Sequence, residues 1–282
     1  MLLQMTVRDC LYLNWALPVD KLPEPPAPLR YQLHSWQGRD HVFASALLFH
    51  QDAVHFSSFP LLRVGYPQLD LRLCVLDGQG VPSVLFRRML MPAWVTPGVR
   101  LLTHHPASRA RLDFPRPSKN PGDGGPWVWK VGRGGGSLQV RAWQHSPQAG
   151  EGPRLGNWEQ TVRYFEERPR GYTEGTGTLH RIEAGIPHAA CWPLRVELRG
   201  EDVLGPWLGL EGNGSGPGWP QLHSAWLCPE VPFVFELGLV PQIQMAPSVP
   251  SPAAGRVAAP VLRMVRPREA EGAPPERQRV AC

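Results

Sequence analysis

The chain has 282 residues, 42% of them hydrophobic and 11 of them Trp, enough to bury a core in one large β-rich domain or two small ones. Its 33 Pro and 29 Gly exclude long uninterrupted helices and favour an all-β or α+β chain of short elements. The formal charge of +5 marks no nucleic-acid surface on a folded body, because residues 246–282 carry six Arg against three Glu and supply most of it.

In chain order, LYLNWALPVDKL opens the sequence and PEPPAPL (23–29) follows as a stiff proline-rich connection. Strands are predicted at His41–Phe49, Leu69–Leu76 and Ser83–Met89, with a short helix or turn in Pro92–Pro106. Residues 115–126 read as an exposed Pro/Gly loop. WVWKV (127–131) and SLQVRAW (137–143), split by GRGGG, predict a hairpin. Asn157, three residues before Gln160, predicts a capping box opening a helix. The apolar stripe Trp158, Val162 and Phe165 would pack that helix on a sheet. Further strand pairs are expected at Gly177–Glu183 with Leu194–Leu198, and at Ser224–Leu227 with Pro232–Leu239. A single domain over 1–245 is expected. The Pro/Ala/Arg-rich residues 246–282, without any aromatic, predict a disordered tail.

The segment YPQLDLRLCVLD alternates strictly. Leu69, Leu71, Leu73 and Val75 fall on one face, and Gln68, Asp70, Arg72 and Cys74 on the other. From the strand alone, the polar face reads as a solvated one.

Three ordered stretches change that reading. They are LNWALPVDKL with WQGRDHVFASALLF; YPQLDLRLCVLDGQGVPSVLF running on to GVRLLTHHPASRARLDF; and YFEERPRGYTEGTGTLHRIEAGIPHAACWPL ending in PQLHSAWLCPEV. Together they resemble the YqjF-like proteins, an uncharacterised bacterial family with the acetoacetate-decarboxylase-like fold. The resemblance implies a mainly β (α+β) chain, a closed or cone-shaped antiparallel β-barrel flanked by a few short helices around a central pocket. It turns Gln68, Asp70 and Arg72 toward that pocket, with Arg72 suited to an anionic ligand.

The decarboxylases use a lysine that forms a Schiff base with a keto acid, made nucleophilic by desolvation or a neighbouring cation. That lysine follows a proline, six to eight residues after an arginine. In the corresponding run from Arg100, Ala107 and Ser108 follow Pro106 where the paired lysines would stand, and Gln68 stands in place of a pocket glutamate. Lysine-dependent decarboxylation is therefore disfavoured. Lys119 and Lys130 read as solvent-exposed. Of the adjacent His104 and His105, which face opposite ways on a strand, one is expected at the mouth of the pocket; His105, with His188 in IPHAACWPL, completes the expected ligand-binding set Gln68, Asp70, Arg72, His105 and His188.

No nucleophile elbow, P-loop, dinucleotide fingerprint or regular Cys/His spacing is present, so neither a cofactor nor a metal is expected. Five scattered cysteines without a CxxC suit reduced thiols in a cytoplasmic protein. The start MLLQMTVRDC lacks a secretory h-region, and no run of 18 apolar residues would span a membrane. The expected partner is a small-molecule ligand, with no nucleic acid and no membrane, and with a homo-oligomer left open by the assembly of related barrels. The alternative is an enzyme of unknown reaction on a keto or hydroxy acid.

Overall fold

The computed structural model describes residues 2–56, 61, 63–103, 105–117, 125–146, 152–175, 178–183, 190–210, 220–236 and 242–244. The expected tail, residues 246–282, and His104, Lys119 and His188 lie outside the described residues.

One sheet gathers fifteen strands. The first six are β1 (Leu2–Pro18), β2 (Arg30–Tyr31), β3 (Leu33–Trp36), β4 (Arg39–Phe56), β5 (Val64–Leu76) and β6 (Pro82–Met91). After helix α1 (Thr96–Thr103) come β7 (Ala107–Arg109), β8 (Arg111–Asp113), β9 (Trp127–Arg133) and β10 (Gly136–Gln144). Helix α2 (Trp158–Glu166) precedes β11 (Arg170–Glu174), β12 (Thr178–Glu183) and β13 (Trp192–Arg199). Helix α3 (Leu204–Leu208), β14 (Leu222–Glu236) and β15 (Gln242–Gln244) complete the series. The main path runs β15-β12-β11-β6-β5-β4-β1-β14-β13-β10-β9-β8. The chain is thus mainly β with a few short helices, as expected. The sheet differs from a closed antiparallel barrel in two respects: its path is open, and β6 pairs in parallel with both β7 and β11.

Leu11, Leu13, Trp15, Leu48, Leu69, Leu71 and Leu73 meet Trp129, Val131, Leu138 and Val140 in one apolar cluster. Strands far apart along the path share this core, so the sheet wraps around its apolar face. Bulges help it bend: register shifts fall at Arg8/Leu11 and Gln51/Val54, where Asp9 (φ 53°) and Ala53 (φ 52°) take left-handed backbone. The opening segment belongs to β1, paired with β4 and β14.

The expected β9–β10 hairpin is present. So is the capping box of α2, where the Asn157 side chain accepts from Gln160 N–H and the Gln160 side chain accepts from Asn157 N–H. Two pairings differ from expectation. β12 pairs with β11 and β15, and β13 with β10 and β14, so the stretches around 178–183 and 194–198 are not partners. Ser224–Leu227 and the residues from Pro232 lie on one continuous strand, β14. Pro229, which has no amide hydrogen, falls at the gap between the pairs Arg8↔Glu230 and Cys10↔Cys228, where the register continues past it unshifted.

Candidate functional site

The site is built on a break in the pairing of β6. On one edge, β6 pairs with β5. On the other, β11 pairs with Ser83–Phe86 and β7 with Met89–Met91, which leaves Arg87 and Arg88 between the two partners. The β5–β6 register also shifts here. Leu71 faces Arg88 and Arg72 faces Phe86, so Arg87 is the extra residue of a bulge. In a regular strand neighbouring side chains point to opposite faces, and the bulge lifts that restriction. Both guanidinium-bearing side chains line one open cleft of about 660 Å³.

Helix α1 and β7 form the second wall with Arg100, His105, Pro106, Ala107 and Ser108, and the β11–β12 turn adds Gly175, Thr178 and His180. Each arginine is held by a backbone carbonyl. Arg87 Nε donates to Leu208 O (3.2 Å), Arg88 Nε to Trp207 O (2.8 Å) and Arg100 Nε to Ala107 O (2.7 Å). The two carbonyls on α3 sit at the end of that helix, where cations are favoured. Arg87 also pairs with Glu174 at 3.3 Å. Neither Arg88 nor Arg100 has a carboxylate partner among the described residues. Burial, reinforced by the nearby Arg133 and Arg87, lowers the Arg88 guanidinium below its ordinary value. On the far wall Thr178 Oγ1 and His180 Nε2 are 3.1 Å apart. The cleft therefore concentrates positive charge beside two imidazoles, a setting that favours a small anion.

Where the resemblance would put the paired lysines, the cleft holds the buried Ala107 and the half-buried Ser108, which carry no amine. Lys130 is 60% exposed on β9, 3.9 Å from Asp113, and belongs to the solvated surface.

The remaining expected site residues divide. His105 lines the cleft, and His188 lies outside the described residues. Gln68, Asp70 and Arg72 do not line the cleft. The wrapped sheet fills its inside with Leu69, Leu71 and Leu73, and turns the alternate residues outward beneath α2. There Gln51 Nε2 donates to Gln68 Oε1 (3.1 Å) and Gln68 Nε2 to Asp70 Oδ1 (2.7 Å). Arg72 Nη2 donates to Phe165 O (3.1 Å), and its guanidinium lies 5.4 Å from the Tyr12 ring centre. Burial raises the Asp70 carboxyl to about 7, although Gln68 and Arg72 both pull it down. The three residues are buried on the sheet, and Arg72 among them reaches the end of α2. Sequence reasoning did not single out Arg87, Arg88 and His180. The signal for the first two was two consecutive arginines inside an otherwise apolar strand.

A wrapped, mainly β sheet with short flanking helices and this cleft defines an acetoacetate-decarboxylase-like fold. An acetoacetate decarboxylase-like enzyme from Sphingomonas wittichii RW1 superposes with a TM-score of 0.54 at 13% identity, covering 87% of this chain and 94% of that chain. The enduracididine biosynthesis enzyme MppR complexed with pyruvate gives 0.54 at 10% identity, covering 83% and 88%. MppR with the condensation product of pyruvate and imidazole 4-carboxaldehyde gives 0.53 at 11%, covering 83% and 87%. Residues 4–202 match the DUF2071 family, described as "Uncharacterized conserved protein (COG2071)". The chain belongs to that family, the YqjF-like proteins. Comparison with curated proteins finds no match.

Proposed function

We propose that the chain binds a small organic anion in the β6–β7 cleft and forms no Schiff base with it. The carrying observation is the convergence of Arg87, Arg88 and Arg100 on one cavity whose wall presents Ala107 and Ser108. Guanidinium groups hold carboxylates through paired, charge-assisted hydrogen bonds. With no amine at positions 107 and 108, no imine forms there. A keto-acid ligand is supported by the likeness in fold to MppR, which was solved with pyruvate.

The second reading is an enzyme acting on a keto or hydroxy acid, supported by His105 and His180 on the cleft wall. An imidazole titrates near neutrality and could move a proton to or from a ligand held by the arginines. A reducing, cytoplasmic setting is part of the proposal, in keeping with the free thiols of Cys10, Cys74, Cys191 and Cys228. No helix among the described residues is long and apolar enough to cross a membrane. A homo-oligomer is supported by the exposed Trp94 and Leu101, which lie just before and on α1.

Native mass spectrometry with added pyruvate tests the proposal. Expected is a non-covalent adduct that dissociates on denaturation. A mass increase on a lysine that survives borohydride reduction and denaturation overturns the absence of imine chemistry. Failure of pyruvate, acetoacetate and citrate alike to bind overturns the anion site.

A further inference from the structure

Away from the cleft, three adjacent strands bring cysteines into a row. Cys10 on β1 is paired directly with Cys228 on β14. On the other side of β14, Trp192 of β13 pairs with Leu227. Cys191 precedes Trp192 and Cys228 follows Leu227, so the antiparallel register sets Cys191 across from Cys228. Glu166, the last residue of α2, descends onto this pair. Its Oε1 lies 3.1 Å from Cys191 Sγ and 3.4 Å from Cys228 Sγ. One donor atom from each of the three residues lies within 4.8 Å of the others. Cys10 is not among these converging donors.

We propose that Glu166, Cys191 and Cys228 form a site for a thiophilic divalent cation of the zinc class. Zinc takes sulfur at about 2.3 Å and carboxylate oxygen at about 2.0–2.2 Å, so the sulfur–oxygen edge of a tetrahedral site is about 3.6 Å. The two sulfur–oxygen contacts are a few tenths of an ångström shorter than that, and small outward movements admit the ion. Two sulfur ligands select zinc, cadmium or cobalt over magnesium or calcium. Three protein donors leave the fourth position to water, and the half-buried Cys191 supplies the entry side.

The charges close as well. Two thiolates and one carboxylate around a divalent ion leave one negative charge, and a buried guanidinium, Arg72, is anchored close by in the chain at the C-terminal end of α2. It donates to Phe165 O, one residue before Glu166. Binding displaces both thiol protons.

The test is titration of the reduced full-length chain with Cd²⁺ alone. Expected are thiolate-to-cadmium ultraviolet absorption that saturates at one equivalent and release of both thiol protons. Cys191→Ser, at the accessible end of the site, weakens binding by roughly tenfold or more, and Glu166→Gln weakens it too. Cys282→Ser leaves it unchanged. Circular dichroism establishes that each variant is folded, and Cys191→Ser decides the matter where Cys228→Ser does not fold. A reduced, folded wild-type chain without this absorption overturns the proposal, as does absorption that Cys191→Ser leaves intact.

Discussion

Arg100 Nε donates to the carbonyl of Ala107 at 2.7 Å, and this bond ties α1 to the strand that carries the cleft floor. It fixes a guanidinium beside Ala107 and Ser108, neither of which carries an amine. Under the proposed function, Arg100 helps hold an anion at a wall that offers no amine to form an imine.

Introducing an amine tests that assignment. Ser108→Lys places a primary amine on the cleft wall among Arg87, Arg88 and Arg100. Neighbouring cations and partial burial depress an ammonium pKa and expose a nucleophile at neutral pH. Pyruvate with cyanoborohydride is expected to label the introduced amine of the variant and no lysine of the wild type, read by peptide mass spectrometry. A folded variant that takes no label contradicts this view of the cleft.

Asp70 gives the chain a specific pH dependence. Its folded value, raised by burial to about 7, exceeds the ordinary 3.8, so folding takes up a proton between those values. The stabilisation is complete below the lower value and is lost as pH rises through the upper one. At about 1.4 kcal/mol per unit, the loss is of the order of 4 kcal/mol. Asp70→Asn keeps an oxygen to accept the 2.7 Å bond from Gln68 and cannot ionise. Urea unfolding at pH 5 and pH 8 should show the wild type weaker at the higher pH and the variant nearly level. An equal decline in both places the titration on another group.

Helix α2 packs on the sheet through Phe165. That ring is fully buried, with its centre 5.2 Å from Phe43 and 5.6 Å from Trp226. Phe165→Ala should destabilise the chain by about 3–5 kcal/mol, measured by denaturant unfolding. A cost below about 1 kcal/mol means the helix repacks without it.

The sequence carried the alternation of β5, the β9–β10 hairpin and the α2 capping box, because each is a local pattern with a local cause. It did not carry which face of β5 lies inside. Period-2 alternation separates two faces without saying which one the wrapped sheet encloses. Both are buried here, one in the apolar core and the other under Phe165. The cleft was harder to read still. It depends on one extra residue at Arg87 and on two strands pairing with β6 in parallel, β7 across the short helix α1 and β11 from a distant point of the chain. The consecutive arginines of FRRML were the one local trace of that bulge.

The most direct measurement is calorimetric titration of pyruvate, acetoacetate and citrate into the wild-type chain and into Arg88→Ala/Arg100→Ala. Expected is saturable binding of at least one carboxylate by the wild type, weakened at least roughly tenfold in the double variant, since each charge-assisted hydrogen bond is worth about 1.5–3 kcal/mol. Binding of equal strength in a folded double variant, or no binding of any of the three to the wild type, would contradict an anion site at this cleft.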